Sequence, residues 1–185
     1  MATLVDLWLP VLLSAVAVFV VSSLIHMAVQ LHKNDFKKLP DEDAILTALR
    51  QQRAGSGEYV FPCAQSMREM NSPEIVAKRQ QGPVGSMVVM KSFDMGRSLL
   101  QWFAFALLVS FLVAYLATIV LPRGIPFRTV FRFTSTAAFL GYAFTNVTNS
   151  IWKGVAWSTT CKFVFDGLLY ALATGAVFAW CWPPA

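Results

Sequence analysis

Four long stretches with almost no charged residues constrain this chain more than any other feature. They cover residues 7–29, 99–121, 130–151 and 163–182, and their only charged side chains are Arg132 and Asp166. A helix needs about 20 consecutive apolar residues to cross the hydrocarbon core of a bilayer. Charged residues make up only 14% of the chain, against about 25% in soluble proteins. The sequence therefore predicts an α-helical integral membrane protein with four transmembrane helices.

The charged residues concentrate between the first and second stretches, which divides the chain into three parts. Residues 1–32 hold the first transmembrane helix, residues 33–98 a polar loop, and residues 99–185 the other three transmembrane helices. Within the loop, Asp41-Glu42-Asp43 and Ser72-Pro73-Glu74 are typical of helix starts, so two short helices are expected. The β-prone runs 59–61 and 87–90 bracket the second of these helices and predict a two-stranded ribbon.

Basic residues near the ends of the stretches predict the orientation in the membrane. Three lie on one side, Arg123, Arg128 and Arg132, and nine on the other, Lys33, Lys37, Lys38, Lys78, Arg79, Lys91, Arg97, Lys153 and Lys162. Loops rich in Lys and Arg stay in the cytoplasm. We therefore expect a cytoplasmic long loop and both termini outside.

No basic groove with interleaved aromatic residues is visible, so nucleic acid is not expected as a partner.

Four polar side chains fall near the same ends of three predicted transmembrane helices: His26, Asn146, Asn149 and Asp166. An ionisable side chain within a span is costly and is a candidate for function. The group could shuttle protons, bind a lipid headgroup or hold a small polar solute. It could equally join the helices to one another by hydrogen bonds. For Asp166 a structural role is the simpler interpretation, because it lies one turn after Lys162 near a helix N-terminus.

No metal, cofactor or enzyme activity is expected from the sequence. The only two histidines, His26 and His32, are interpreted as lying on different faces of one segment, which excludes a haem pair. His32 and Asp35 have metal-compatible side chains but lack a third ligand, so they are interpreted as a solvated interface pair. No CxxC is present to bind zinc. Phosphate-binding loops and the motifs of zinc and serine hydrolases are also absent.

Small residues repeat every four positions along the last stretch. They are Gly167, Ala171, Gly175 and Ala179, which we call the seam. Such a repeat lets another helix come close, so we expect the seam to face a helix of this chain or of another subunit.

The arginines on the outer side form a second candidate site. Arg128 and Arg132 are spaced to share one helix face, and Arg123 precedes them in the same region. Few acidic residues lie nearby in sequence. We therefore expect these side chains to bind lipid phosphates or an anionic patch on another subunit.

Several short segments from about His32 onward carry a resemblance. They are Leu39-Pro40-Asp41-Glu42-Asp43, Tyr59 with Phe61-Pro62, Gln81-Gly82-Pro83-Val84-Gly85, Trp152-Lys153-Gly154, Trp157-Ser158, Lys162 and Phe165-Asp166-Gly167. These segments resemble a family of small bacterial four-span membrane proteins with no assigned activity. The resemblance implies a multi-pass protein of the bacterial inner membrane.

Two functions stay open at this point. The leading hypothesis is a non-catalytic inner-membrane subunit or scaffold that packs with other membrane proteins or with a second copy of itself. It rests on the seam and on the lack of catalytic motifs. The alternative is a small transporter or channel that uses His26 and Asp166. Broken helices of the kind found in transporters are not evident from the sequence, which counts against that alternative.

Overall fold

The computed structural model describes residues 1–185 and is mostly helical. In chain order the elements are α1 (Trp8–Ser23), a π-helical turn (Leu24–Val29), α2 (Glu42–Gln51), β1 (Gly57–Phe61), α3 (Met67–Met70), α4 (Pro73–Gln81), β2 (Gly85–Val89), α5 (Met95–Val120), α6 (Phe127–Tyr142), a 3-10 turn (Phe144–Asn146), α7 (Val147–Lys153) and α8 (Trp157–Trp180).

Internal contacts divide the chain into two units. The helical unit comprises Met1–Asp35, Asp94–Ile151 and Val155–Ala185, and the polar unit comprises Phe36–Phe93 with Trp152–Gly154. Every long helix belongs to the helical unit. We describe each unit by itself.

Three helices are long and apolar enough to cross a membrane. They are Trp8–Val29 with 22 residues, α5 with 26 and α8 with 24. These three match the first, second and fourth predicted spans. The predicted third span, residues 130–151, is not one continuous helix, because α6 has only 16 residues and ends at Tyr142.

Side-chain hydrogen bonds explain why α6 stops. The Asn146 amide donates to the carbonyls of Tyr142 and Ala143, over 3.1 and 3.3 Å. Those carbonyls would accept the next backbone N–H groups if the helix continued, so the amide competes with the helix for its own acceptors. The chain forms a 3-10 turn instead and then resumes as α7.

The seam on α8 packs against α6 within this chain. A Cβ built on Gly175 would lie 2.7 Å from Ser135 Cβ, and one on Gly167 would lie 2.8 Å from Ala143 Cβ. Ala171 and Ala179 are buried in the same core. Because real Cβ contacts are wider than this, only glycine allows the two helices to lie so close at both positions.

One end of the helical unit is held together by contacts between its termini and the loop before α6. Ala2 N donates to the Leu121 carbonyl over 3.4 Å, and Gly124 N donates to Pro183 O over 3.0 Å. Arg123 Nη2 lies 2.6 and 2.7 Å from the two carboxylate oxygens of Asp6. Both termini therefore lie at the same end as this loop.

The polar unit contains the ribbon that the sequence predicts. Strands β1 and β2 pair antiparallel, with Tyr59 opposite Met87 and Phe61 opposite Gly85. Both predicted helix starts are present as well. The Asp41 carboxylate accepts from Ala44 N at the start of α2, and Ser72 Oγ accepts from Ile75 N at the start of α4.

Candidate functional site

A buried carboxylate is the centre of the candidate site. Asp166 lies in the first half of α8, and its side chain is only 2% exposed. Its Oδ2 lies 2.8 Å from His32 Nε2, whereas its Oδ1 is buried without a hydrogen-bond partner. A buried polar atom without a partner costs free energy, so this oxygen is a candidate ligand atom.

His32 reaches Asp166 because the first long helix ends before it. The π-helical turn stops at Val29, and Gln30 has φ 53°, a left-handed conformation that reverses the chain. The His32 ring then stacks between His26, at 5.0 Å between ring centroids, and Phe163, at 4.5 Å. The interpretation of His26 and His32 as facing apart on one segment is therefore wrong.

Asp35 and Lys162 extend this contact into a chain of paired groups. His32 Nδ1 lies 2.6 Å from Asp35 Oδ2, and Lys162 Nζ donates to Asp35 Oδ1 over 2.5 Å. The hydrogen bond from Lys162 holds the pKa of the Asp35 carboxyl below its ordinary value, and the contact with His32 acts in the same direction. Since the Asp35 side chain is only 5% exposed, it does not belong to a solvated pair as expected from sequence.

His26 completes the group, which we call the acid–histidine cluster: His26, His32, Asp35, Lys162 and Asp166. His26 lies on the π-helical turn, and its Nδ1 is 3.0 Å from the Ser22 carbonyl. Its Nε2 is 4.0 Å from Asp166 Oδ2, and its side chain is 41% exposed. Single turns of π-helix occur frequently at functional sites in proteins.

The structure brings together only part of the polar group predicted from sequence. His26 and Asp166 are neighbours. Asn146 borders the same cavity, but its amide is bonded to the backbone at the end of α6. Asn149 lies outside the cavity lining. His32 and Asp35 were set aside from sequence, because the spacing His26-x5-His32-x2-Asp35 does not show that the chain turns at Gln30.

A cavity of about 790 Å³ opens beside the cluster, within the helical unit. Its walls come from the end of α1 with the π-helical turn, from α5, from the end of α6 and from α8. Asp166 and His26 are its ionisable side chains apart from tyrosine, and no Lys or Arg lines it. The full lining is Ser22, Ser23, His26, Met27, Met95, Ser98, Leu99, Trp102, Phe105, Tyr142, Thr145, Asn146, Phe163, Asp166 and Tyr170.

The predicted arginine site divides in two. Arg123 pairs with Asp6 of this chain through Nη2, and a further anion at this residue stays a prediction. Arg128 and Arg132 line a separate groove of about 920 Å³ between α5 and α6, whose lining includes no acidic residue. Lipid phosphate or a partner's anion at these two residues stays a prediction.

Comparison of the chain with family models, with curated proteins and with solved structures finds no match. The resemblance to small bacterial membrane proteins therefore stays a prediction.

Proposed function

We propose that this protein is a small membrane transporter or channel that binds a cationic solute in the cavity beside Asp166. The observation that carries the proposal is a carboxylate, 2% exposed, at the wall of a 790 Å³ cavity, with one oxygen that has no partner in the chain. Carboxylates within membrane proteins commonly mark solute or ion pathways. This one has both the space and the free acceptor that a solute requires.

The lining favours a positive charge. Asp166 contributes a carboxylate, and no Lys or Arg lines the cavity to oppose a cation. Aromatic rings of Trp102, Tyr142 and Tyr170 border the same space. The faces of such rings attract cations, and the attraction is stronger where water is excluded. An anionic solute would find neither a positive side chain nor an attractive ring face in this cavity.

One interrupted helix supports transport over simple packing. The 3-10 turn that follows α6 borders the cavity, and the chain resumes as α7 beyond it. Many transporters bind their solutes where membrane helices are discontinuous. A break of this kind, which is not evident from the sequence, therefore favours transport.

The accessory-subunit hypothesis has lost its main support. One of its motivations was the seam, and Gly167 and Gly175 pack against α6 of the same chain. The seam therefore requires no partner protein. Association with a second copy is compatible with either function, since small transporters often work as oligomers.

The proposed topology has four crossings, the third formed by α6, the 3-10 turn and α7. The excess of Lys and Arg on the loop side favours a cytoplasmic polar unit and external termini. The resemblance implies that the membrane is a bacterial inner membrane. The contacts that hold both termini at one end of the helical unit support this arrangement.

Labelling of an introduced cysteine tests the topology. In a variant without other cysteines, Ser56→Cys should resist a membrane-impermeant thiol reagent in intact cells. Rapid labelling from outside would reverse the topology.

Flux measurements test the function. The purified protein is reconstituted in liposomes, with tetraethylammonium as an organic probe and Co²⁺ as a metal probe. At least one should cross faster than in empty liposomes. Asp166→Asn should reduce that flux about tenfold, because an amide carries no charge to hold a cation. Glu74→Gln is the control, because Glu74 is exposed in the polar unit and pairs only with Lys78.

Two results would contradict the proposal. One is the absence of flux for both probes from well-folded protein. The other is an Asp166→Asn variant that carries the probe at the original rate. Co-purification of a defined membrane complex together with absent flux would favour the accessory-subunit hypothesis instead.

A further inference from the structure

We infer that His26, His32 and Asp166 bind a divalent transition-metal ion. The inference rests on the proposed function, since it names the class of cation held at the same carboxylate. One nitrogen or oxygen from each residue lies within 4.8 Å of the others. The three residues come from separate segments: the π-helical turn, the turn after it, and α8.

The hydrogen bond of His26 determines which of its nitrogens is free. Its Nδ1 is 3.0 Å from the carbonyl oxygen of Ser22. A carbonyl oxygen can only accept, so Nδ1 carries the proton. In the neutral ring the lone pair then lies on Nε2, which is the nitrogen nearer to Asp166.

The same argument applies to His32. Its Nδ1 is 2.6 Å from Asp35 Oδ2, and Lys162 donates to the other oxygen of that carboxylate. A carboxylate oxygen accepts, so His32 Nδ1 directs its N–H at Asp35, and Nε2 is the nitrogen that a metal ion can use in place of the hydrogen bond with Asp166. Carboxylates that orient histidine in this way are the usual second layer around bound metals. Both histidines therefore turn Nε2 toward the same aspartate.

Three acceptor atoms consequently converge. Asp166 Oδ2 lies 2.8 Å from His32 Nε2 and 4.0 Å from His26 Nε2. Without metal, the hydrogen bond between Oδ2 and His32 Nε2 satisfies that pair, whereas His26 Nε2 has no hydrogen-bond partner within the chain. A divalent ion can contact all three atoms. When it binds, the proton of that hydrogen bond leaves to solvent, and two nitrogens and one oxygen donate electron pairs to the ion.

The distances require small adjustments at both histidines. In a tetrahedral site with bonds of about 2.0–2.1 Å, neighbouring ligand atoms lie about 3.3 Å apart. His32 Nε2, which lies 2.8 Å from Asp166 Oδ2, must withdraw by about 0.5 Å. The His26 nitrogen must approach Asp166 by somewhat less than 1 Å and its ring must rotate, because the two imidazoles are nearly parallel, at 7°. His26 is the ligand free to do so, since its side chain is 41% exposed. The cavity leaves the remaining coordination position open to water or solute.

The ligand set selects the kind of metal. Two imidazoles and one carboxylate suit Zn²⁺, Co²⁺, Ni²⁺ or Fe²⁺, whereas Ca²⁺ and Mg²⁺ prefer sites made of oxygen atoms. Lys162 does not oppose the ion directly, because its ammonium pairs with Asp35. The inferred ion is therefore a transition metal at the cavity wall.

Titration with Co²⁺ tests this site in the full-length protein. Cys63, Cys161 and Cys181 are first replaced by serine, so that no thiolate can contribute. We expect one Co²⁺ per chain by equilibrium dialysis, with visible d–d absorption typical of a low-coordinate site. His32→Gln and Asp166→Asn should abolish that absorption. Glu74→Gln is the matched control.

Two further variants keep the test decisive if His32→Gln fails to fold. His26→Gln changes an exposed side chain and should still weaken Co²⁺ binding. Asp35→Asn, which removes the carboxylate behind His32, should weaken binding about 10–100-fold. Unchanged Co²⁺ affinity in both well-folded variants would overturn the inference, as would the absence of Co²⁺ binding by the parent protein.

The Co²⁺-binding experiment tests the metal site and the flux experiment tests the transport function, so either one can fail while the other succeeds. If Co²⁺ binds with the expected dependence on His26 and Asp166 but neither probe crosses liposomes, the metal site stands and the transport function fails. If Co²⁺ does not bind while tetraethylammonium flux depends on Asp166, the metal site fails and the function stands.

Discussion

Helix α8 presents two faces with opposite environments. The seam, formed by Gly167, Ala171, Gly175 and Ala179, packs tightly on α6 and contains no polar side chain. The cavity face, formed by Phe163, Asp166 and Tyr170, borders the 790 Å³ space and carries the buried carboxylate. Asp166 and Gly167 are adjacent in sequence. Asp166 lines the cavity, whereas Gly167 packs so closely on Ala143 that there is no room for a side chain.

The contrast shows how a small helical unit can hold a polar site. Small residues on one face let two backbones come close, which places α8 firmly without any hydrogen bond. Large rings on the other face, such as Phe163 and Tyr170, leave gaps between helices that no side chain fills. A carboxylate is accepted there because His32 supplies a partner. Substitutions on the two faces should therefore destabilise the protein for different reasons. On the seam the reason is overpacking against α6, and on the cavity face it is the loss of a hydrogen bond.

The largest effect should come from the seam. Gly175→Leu places atoms where Ser135 Cβ would lie 2.7 Å from the new Cβ, so α6 must move away. Overpacking of this kind costs about 1–3 kcal/mol, and occasionally more. We expect a strongly lowered melting temperature in detergent or loss of folded protein. Leu168→Ala is the control, because Leu168 is 40% exposed, and its melting temperature should change little. Equal effects of the two substitutions would contradict tight packing at the seam.

On the cavity face, loss of the hydrogen bond to His32 should lower the melting temperature, whereas loss of the negative charge alone should change it little. Asp166→Leu leaves His32 Nε2 buried without its partner, which costs about 1–3 kcal/mol. Asp166→Asn keeps the shape, and its amide can donate to Nε2, so the melting temperature should stay near that of the parent. If Asn destabilises as much as Leu, the carboxylate is held by charge, and the comparison between the two faces needs revision.

The smallest effect should come from Arg123, which lies on neither face. Arg123→Gln removes an exposed ion pair with Asp6, and exposed pairs contribute little to stability. The hydrogen bond from the Thr3 backbone, followed by that from Arg123, lowers the pKa of Asp6 to about 2. A carboxyl whose pKa is lowered by folding stabilises the protein above its unfolded pKa of about 3.9 and loses that effect as pH falls toward 2.

Melting curves measured at several pH values can check this. The difference between parent and Arg123→Gln should be small and constant at neutral pH, and should shrink below about pH 4. A difference that grows on acidification would contradict the assigned role of Asp6.

Much of the fold was predictable from hydropathy and helix-start patterns. Three long helices, the ribbon and the caps Asp41 and Ser72 all appear as the sequence predicts. The third span was not predictable, because its interruption depends on where the Asn146 amide turns. Hydropathy averages over such a residue and does not register its hydrogen bonds.

The site was predictable only in part. His26 and Asp166 could be chosen because ionisable side chains are rare in apolar stretches. His32 could not, because its position depends on Gln30 adopting a left-handed conformation at the end of the helix. Glycine usually signals such an ending, and glutamine does not. Lys162 was expected beside Asp166 from helical spacing, but its partner is Asp35, which the same turn brings close.

The close contact between α6 and α8 also decides which parts of the helical unit can move. At Gly167 and Gly175 no room exists for one helix to slide past the other, and close-packed interfaces do not deform continuously. The two helices must therefore travel as one rigid body. Any widening of the cavity has to come from its other walls, which are the end of the first long helix with its π-helical turn and α5. Because His26 lies on the first of these walls and His32 follows it, an outward displacement of that wall would separate both histidines from Asp166.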